Sequence, residues 1–125
     1  MKFHHVGVAC KDIQAELQNI KKLHKIIEET PVVFDENQRA ELCMITVEDG
    51  LNIELVSGAP VENLLKKRIS YYHICYEVDD IDQSIENLIE NGGMLISPPK
   101  EAILFNNRKV AFLMLSYGIV ELLNK

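Results

Sequence analysis

Hydrophobic and polar positions alternate along residues 3–10, F-H-H-V-G-V-A-C, with Val6, Val8 and Cys10 on one parity and His5, Gly7 and Ala9 on the other. A period of two predicts a half-buried strand. Asp12 then offers a helix N-cap, and Ile13, Leu17, Ile20, Leu23 and Ile27 recur at spacings of three and four, which predicts one amphipathic helix. Residues 31–34 read as a short strand and 35–37 as a polar turn. Residues 40–48 alternate again, with Leu42, Met44 and Thr46 against Glu41, Cys43, Ile45 and Val47. Asp49-Gly50 predicts a hairpin turn into a return strand over residues 51–56.

Ser57-Gly58-Ala59-Pro60 breaks the pattern. Residues 58–69 read as a linker, with a short helical stretch over 61–67 and the basic run Lys66-Lys67-Arg68. The pattern then restarts. Residues 71–78, Y-Y-H-I-C-Y-E-V, alternate as a strand, and Asp80 with Gln83 resembles a capping box. Ile81, Ile85, Leu88 and Ile89 form a second helical stripe, which Asn91-Gly92-Gly93 stops. Residues 94–97 predict a strand ended by Pro98-Pro99, and residues 108–116 and 119–123 predict a hairpin about Tyr117-Gly118.

The two halves superimpose as sequence. An offset of 68 carries His5 to His73, Asp12 to Asp80, Ile13 to Ile81 and Asn19 to Asn87, and an offset of 67 carries Ile53-Glu54-Leu55 to Val120-Glu121-Leu122. The expected fold is therefore α+β: tandem βαβββ modules, residues 1–57 and 70–125 of a single domain, forming a curved, cleft-enclosing mixed sheet with the helices on its outer face.

Strand parity then separates the polar residues from the aliphatic ones. His5 lies opposite Val6 and Val8, and His73 opposite Ile74 and Tyr76. Glu54 lies opposite Ile53 and Leu55, and Glu121 opposite Val120 and Leu122. Taken singly, such a Glu is a solvated strand residue and such a His a packed one. Their recurrence at matched positions is what singles them out; His4 and His24 have no counterpart and read as surface or packing residues. Two neutral imidazoles and two carboxylates suit one divalent first-row cation, here Co, Ni, Mn or Zn, with two coordination positions left for water or substrate.

Composition narrows the function further. A chain of 125 residues with 47% hydrophobic positions can bury a core without staples. A net charge of −6 argues against a nucleic-acid partner. No apolar run approaches the roughly 18 residues of a membrane span. Strand pattern from Lys2 onward leaves no room for a signal peptide, so the expected location is the cytoplasm, with Cys10, Cys43 and Cys75 as reduced thiols. Lys66, Lys67, Arg68, Arg108 and Lys109 are the clustered cations and read as a solvated face.

The double βαβββ pattern with His5…Glu54…His73…Glu121 resembles the vicinal-oxygen-chelate superfamily, which includes glyoxalase I, methylmalonyl-CoA epimerase, extradiol dioxygenases and bleomycin-resistance proteins. Tyr72-His73-Ile74-Cys75-Tyr76-Glu77-Val78-Asp79-Asp80-Ile81, with Asn63-Leu64-Leu65-Lys66-Lys67 before it and Arg108-Lys109-Val110-Ala111-Phe112-Leu113 after it, is most similar to the epimerase-like branch. The resemblance implies metal ligands at His5, Glu54, His73 and Glu121, and a homodimer acting on a small molecule that chelates the metal through two oxygens. It implies removal of a proton α to a carbonyl, by epimerisation or glyoxalase-type isomerisation. It places a catalytic Glu on the third strand of module one, which alignment puts at Glu41, with Glu121 returning the proton. It differs in one place: residues 114–118 form a tight turn where epimerases carry a longer stretch before the last strand. The alternative within the superfamily is a non-catalytic binding protein of the bleomycin-resistance type.

Overall fold

Each half of the chain is organised by one helix lying on the aliphatic face of a small mixed sheet. The computed structural model describes residues 1–125 and falls into two units, His5–Tyr72 and Met1–His4 with His73–Lys125. No helix is long and apolar enough to cross a membrane.

The first unit contains β1 (Lys2–Ala9, from His5 onward), α1 (Ile13–Leu23), β2 (Ile26–Glu29), β3 (Val33–Asp35), β4 (Ala40–Val47) and β5 (Asn52–Gly58). β5 pairs parallel with β1 and antiparallel with β4, and both β2 and β3 pair antiparallel with β4. A 3₁₀ turn (Ala59–Val61) and a short helix, α2 (Glu62–Lys66), follow β5. The Asp12 carboxylate accepts from the Ala15 N–H at 3.1 Å, satisfying a donor that the first helical turn would leave unmade. Ile13 and Leu17 then bury themselves among Cys10, Cys43, Ile45, Val47 and Leu55.

The helix stops four residues short of its predicted end. Ile20 still accepts from the His24 N–H, but His24 is extended and Leu23 is exposed. Ile26 pairs with Val47, and Glu28 and Glu29 pair with Thr46 and Ile45. β-branched Ile26 finds a backbone partner along the edge of β4 and Ile27 lies at the irregularity before Glu28, so the strand pairing on either side overrides the helical spacing of Ile27.

The second unit contains β6 (Tyr71–Val78, from His73 onward), α3 (Ile81–Glu90), β7 (Met94–Ala102), β8 (Arg108–Leu115) and β9 (Gly118–Asn124). β9 pairs parallel with β6 and antiparallel with β8, and β7 lies along the other side of β8. Asp80 caps α3 through the Gln83 N–H at 3.1 Å, and the Asn124 side chain accepts from the Ile81 N–H at 2.9 Å, tying the helix start to the last strand. Ile81 and Ile85 pack with Val78, Ala111, Leu113, Val120 and Leu122.

Here too one expectation is corrected. β7 runs through Pro98-Pro99 rather than ending before them. Its ladder to β8 shifts between Ser97 and Lys100, so neither proline occupies a paired rung. A missing N–H is tolerated at such an irregularity on an outer strand.

The order β-α-β-β-β is thus repeated as expected, with the second strand of the first module split into β2 and β3. Leu17, 1% exposed, is the most buried residue of α1. Leu17→Ala should lower unfolding free energy by about 2–5 kcal/mol, read from urea denaturation; a loss below ~1 kcal/mol would contradict the packing described.

Candidate metal centre

In the first unit the parallel ladder sets Val6 beside Ile53 and Gly7 beside Glu54. Val8, Ile53 and Leu55 pack on the α1 side. His5, Gly7 and Glu54 therefore project from the other face. His5 and Glu54 are 0% and 1% exposed, and His5 Nε2 lies 3.4 Å from Glu54 Oε1. Across the antiparallel ladder, Glu54 faces Met44.

The second unit repeats this arrangement. Cys75 is the parallel partner of Glu121 and Phe112 its antiparallel partner, while Val120 and Leu122 pack on the α3 side. His73 and Glu121 are 4% and 0% exposed, with Nε2 to Oε1 at 3.2 Å. The Phe112 ring stands edge-to-face on the His73 imidazole, with centroids 5.4 Å apart and planes at 79°.

Each unit thus holds an imidazole beside a carboxylate, both out of water. Burying a carboxylate is costly unless positive charge compensates it. An imidazolium can supply that charge, and so can a cation shared by the two side chains. The spacing suits the second case as well as the first: two donors about 2.1 Å from one ion and roughly at right angles lie about 3 Å apart. Imidazole nitrogen and carboxylate oxygen are both donors that divalent transition ions accept. The residues present fit such an ion.

Glu41 does not join this face. Met44 is the cross-strand partner of Glu54, so Ala40, Leu42 and Met44 share its face, whereas Glu41 has the parity of Cys43 and Ile45. Glu41 is exposed and pairs with Phe34 and Ser57. Its expected place as a catalytic base on the Glu54 face is therefore corrected. β4 alternates as the sequence pattern predicts, but its phase relative to Glu54 is set by the hairpin register, which places Met44 and not Cys43 opposite Glu54.

None of the three cysteines is in a disulfide, and all are buried. Burial, backed by the nearby Glu16 charge, pushes the Cys10 thiol up to about 11, and burial also raises that of Cys43. Both therefore stay protonated and are poor nucleophiles. Cys75, Phe112 and Met44 are the neighbours that sequence reasoning passed over. The offset of 68 that links His5 to His73 also links Gly7 to Cys75 and Met44 to Phe112, and that was the available signal.

Glu77 shares the face of His73 and Cys75 along β6. Its Oε2 accepts from Arg108 Nη1 at 2.9 Å, and Arg108 Nε donates to the Phe105 carbonyl at 3.4 Å. This contact corrects the reading of Arg108 as merely solvated. His4 packs edge-on to Phe105 at 5.6 Å, and His24 lies 3.0 Å from Glu48 on the surface.

A family model described as the Glyoxalase/Bleomycin resistance protein/Dioxygenase superfamily matches residues 4–112. The mitochondrial methylmalonyl-CoA epimerase of Dictyostelium discoideum is 32% identical over 106 residues, covering 78% of this chain and 61% of that protein, so the match spans less than two thirds of the relative's length. The solved structure of methylmalonyl-CoA epimerase from Mycobacterium tuberculosis has the same fold at 17% identity, with a TM-score of 0.82 over 98% of this chain and 87% of that one. The Streptomyces coelicolor methylmalonyl-CoA epimerase in complex with 2-nitronate-propionyl-CoA is similar at 16% identity, with a TM-score of 0.76 over 100% and 94% of the two chains.

The Arg108 hydrogen bond, with the guanidinium charge, holds the Glu77 carboxyl below its ordinary 4.5. A carboxyl depressed in the folded state contributes stability that is present above its unfolded pKa and lost as pH falls through the folded one. Arg108→Met should return the Glu77 titration, followed by carboxyl-detected NMR, toward 4.5. The stability gap between wild type and variant should close in acid. An unchanged Glu77 titration would remove the pair's assigned role.

Proposed function

We infer that this chain, which belongs to the Glyoxalase/Bleomycin resistance protein/Dioxygenase superfamily, is a cation-dependent isomerase that moves the proton α to a carbonyl, with His5, Glu54, His73 and Glu121 holding one divalent cation together. The observation that carries this reading is the recurrence of a buried His–Glu pair, at 3.4 Å and 3.2 Å, on the same rung of both modules. A solitary buried pair has many structural explanations. A duplicated pair, with the same donor atoms on the face away from the helix, calls for a common ligand.

Two imidazoles and two carboxylates balance the charge of a divalent Co, Ni, Mn or Zn ion and leave positions for a bidentate substrate. When bound, the cation supplies Lewis-acid stabilisation of the negative charge that develops on the substrate oxygens as the α-proton leaves. His5 and His73 hold through Nε2, and Glu54 balances charge. Glu121 is the acid–base group, taking the proton from carbon and returning it. Return by Glu121 to the neighbouring carbon is glyoxalase-type isomerisation, whereas epimerisation needs a second proton donor, a side chain or water, on the opposite face of the same carbon; either needs the acid–base group within hydrogen-bond reach. The substrate class best supported is a small acyl-CoA thioester. The sequence relative is a methylmalonyl-CoA epimerase, and a structural neighbour of that name was solved with 2-nitronate-propionyl-CoA.

The test is exchange of the α-proton of methylmalonyl-CoA in deuterium oxide, with protein reloaded separately with Co, Ni, Mn and Zn. Deuterium should wash in with at least one metal and stop with EDTA. Glu121→Gln should slow exchange by roughly 10²–10⁴-fold. A protein that retains no metal, and that washes in no label from this thioester or from the glutathione hemithioacetal of methylglyoxal, would instead be a binding module.

A further inference from the structure

We propose that Met94, Met114 and Ile119 form the seat for an apolar substituent on the substrate's reacting carbon; this rests on the function proposed above and narrows its substrate to an acyl thioester branched by a short alkyl group at the α-carbon. The ladders set the three side chains in a row. Met114 pairs with Met94 of β7 on one side and with Ile119 of β9 on the other. This rung lies two residues along β8 from the rung of Phe112 and Glu121, so its side chains leave the sheet on the face that carries Glu121. The rung between them, Leu113 with Val120, goes under α3. Ile119 and His73 each stand one residue before the parallel pair of Val120 and Ile74, which sets the end of the apolar row level with the imidazole.

Burial along this face gives a direction of approach. On the side of Glu121 away from the β8–β9 hairpin, Val110 pairs with Leu123 and both are buried. Toward the hairpin, Met114 is 41% and Met94 68% exposed, and Ile119 is part-buried. Within this unit, a molecule that reaches Glu121 along the sheet therefore crosses Met114 and Ile119. Apolar side chains left exposed as a contiguous strip mark a place that receives apolar atoms. Methionine, unbranched and rotatable, can close around small alkyl groups of different shape.

The first module shows that the strip is not demanded by the fold. At the matching place, two residues from Met44 and Glu54, the rung is Glu28, Thr46 and Asn52, and Thr46 Oγ1 donates to Asn52 Oδ1 at 2.6 Å. The offset of 68 carries Thr46 to Met114, and that of 67 carries Asn52 to Ile119. The duplicated sheet thus accepts polar side chains at this level, and the second module has apolar ones. An alkyl group gains by leaving water against Met114 and Ile119, whereas a carboxylate or amide placed there would give up hydrogen bonds. The alkyl branch of the substrate therefore belongs on the second module.

Two measurements test this, and neither reads turnover. In the first, wild type labelled at its methionine and isoleucine methyl groups is mixed with Zn²⁺ and methylmalonyl-CoA and followed by NMR. Nuclear Overhauser effects should run from the substrate methyl to the methyls of Met114 and Ile119. Their absence, or effects to Met44 instead, would overturn the proposal. In the second, calorimetry gives dissociation constants for methylmalonyl-CoA and malonyl-CoA, which differ by that one methyl group. Wild type should prefer methylmalonyl-CoA by roughly 10-fold, the low end of what one such group is worth in an apolar pocket. Met114→Ser combined with Ile119→Thr should abolish the preference. Equal affinities in wild type, or a preference kept by the double variant, would also overturn it. Met114 is exposed and Ile119→Thr keeps a β-branched strand residue, so the variant should fold, which urea denaturation checks; the NMR result decides if it does not. The seat and the isomerase reading fail separately. Contacts to Met114 and Ile119 without deuterium exchange refute the isomerase and leave the seat, whereas exchange without those contacts refutes the seat alone.

Discussion

The pleat of a β-strand is the constraint on which this structure rests. Because successive side chains leave a strand on opposite faces, one strand can give its aliphatic residues to a helix and its polar ones to the other side. β5 places Leu55 among the residues under α1 and turns Glu54 away, and β9 does the same with Leu122 and Glu121. The aliphatic contacts stabilise the sheet by ordinary hydrophobic burial. That stability holds a carboxylate beside an imidazole in a place with almost no water, where neither would settle in an unfolded chain. A one-residue slip in either ladder would exchange the faces and bury the glutamate under the helix.

Duplication explains both what the modules share and where they part. The shared features are those that fix the rung: the capping aspartates Asp12 and Asp80, the leading isoleucines Ile13 and Ile81, and the His and Glu on partner strands. The differences lie beside the donors and at the sheet margins. Gly7 and Met44 give way to Cys75 and Phe112, and the β2–β3 pair of one module corresponds to a continuous, proline-bearing β7 in the other.

Much of this was legible in the sequence because parity and repeat are local properties. The eight-residue strands, the caps at Asp12 and Asp80, and the assignment of His5, Glu54, His73 and Glu121 to the faces away from the helices follow from alternation alone. What was not legible depends on pairing between distant segments. Ile27 fits the helical stripe of α1 by spacing but belongs to β2, because β4 offers its neighbours Ile26, Glu28 and Glu29 a ladder. Pro98-Pro99 reads as a strand end but lies within one, because the ladder shifts around it. Glu41 shows how the two levels combine. Its alternation with Leu42 was right, yet its face relative to Glu54 required the β4–β5 register, and one residue of phase separates a base from a surface charge.

The same register argument bears on how an anionic substrate tail would be recognised. Arg108 shares a face with the second His–Glu pair, but its guanidinium is already engaged by Glu77 and by the Phe105 carbonyl. An anion arriving there would have to displace a carboxylate of its own sign. Lys66, Lys67 and Arg68, at the end of α2, are exposed. Exposed ammonium and guanidinium groups on long side chains attract phosphate weakly and are screened within about 8 Å at physiological salt. On a chain of net charge −6 they do not create a broad positive field. On the cation-binding reading, discrimination among substrates therefore falls to the reacting end, and not to the charged end of the molecule.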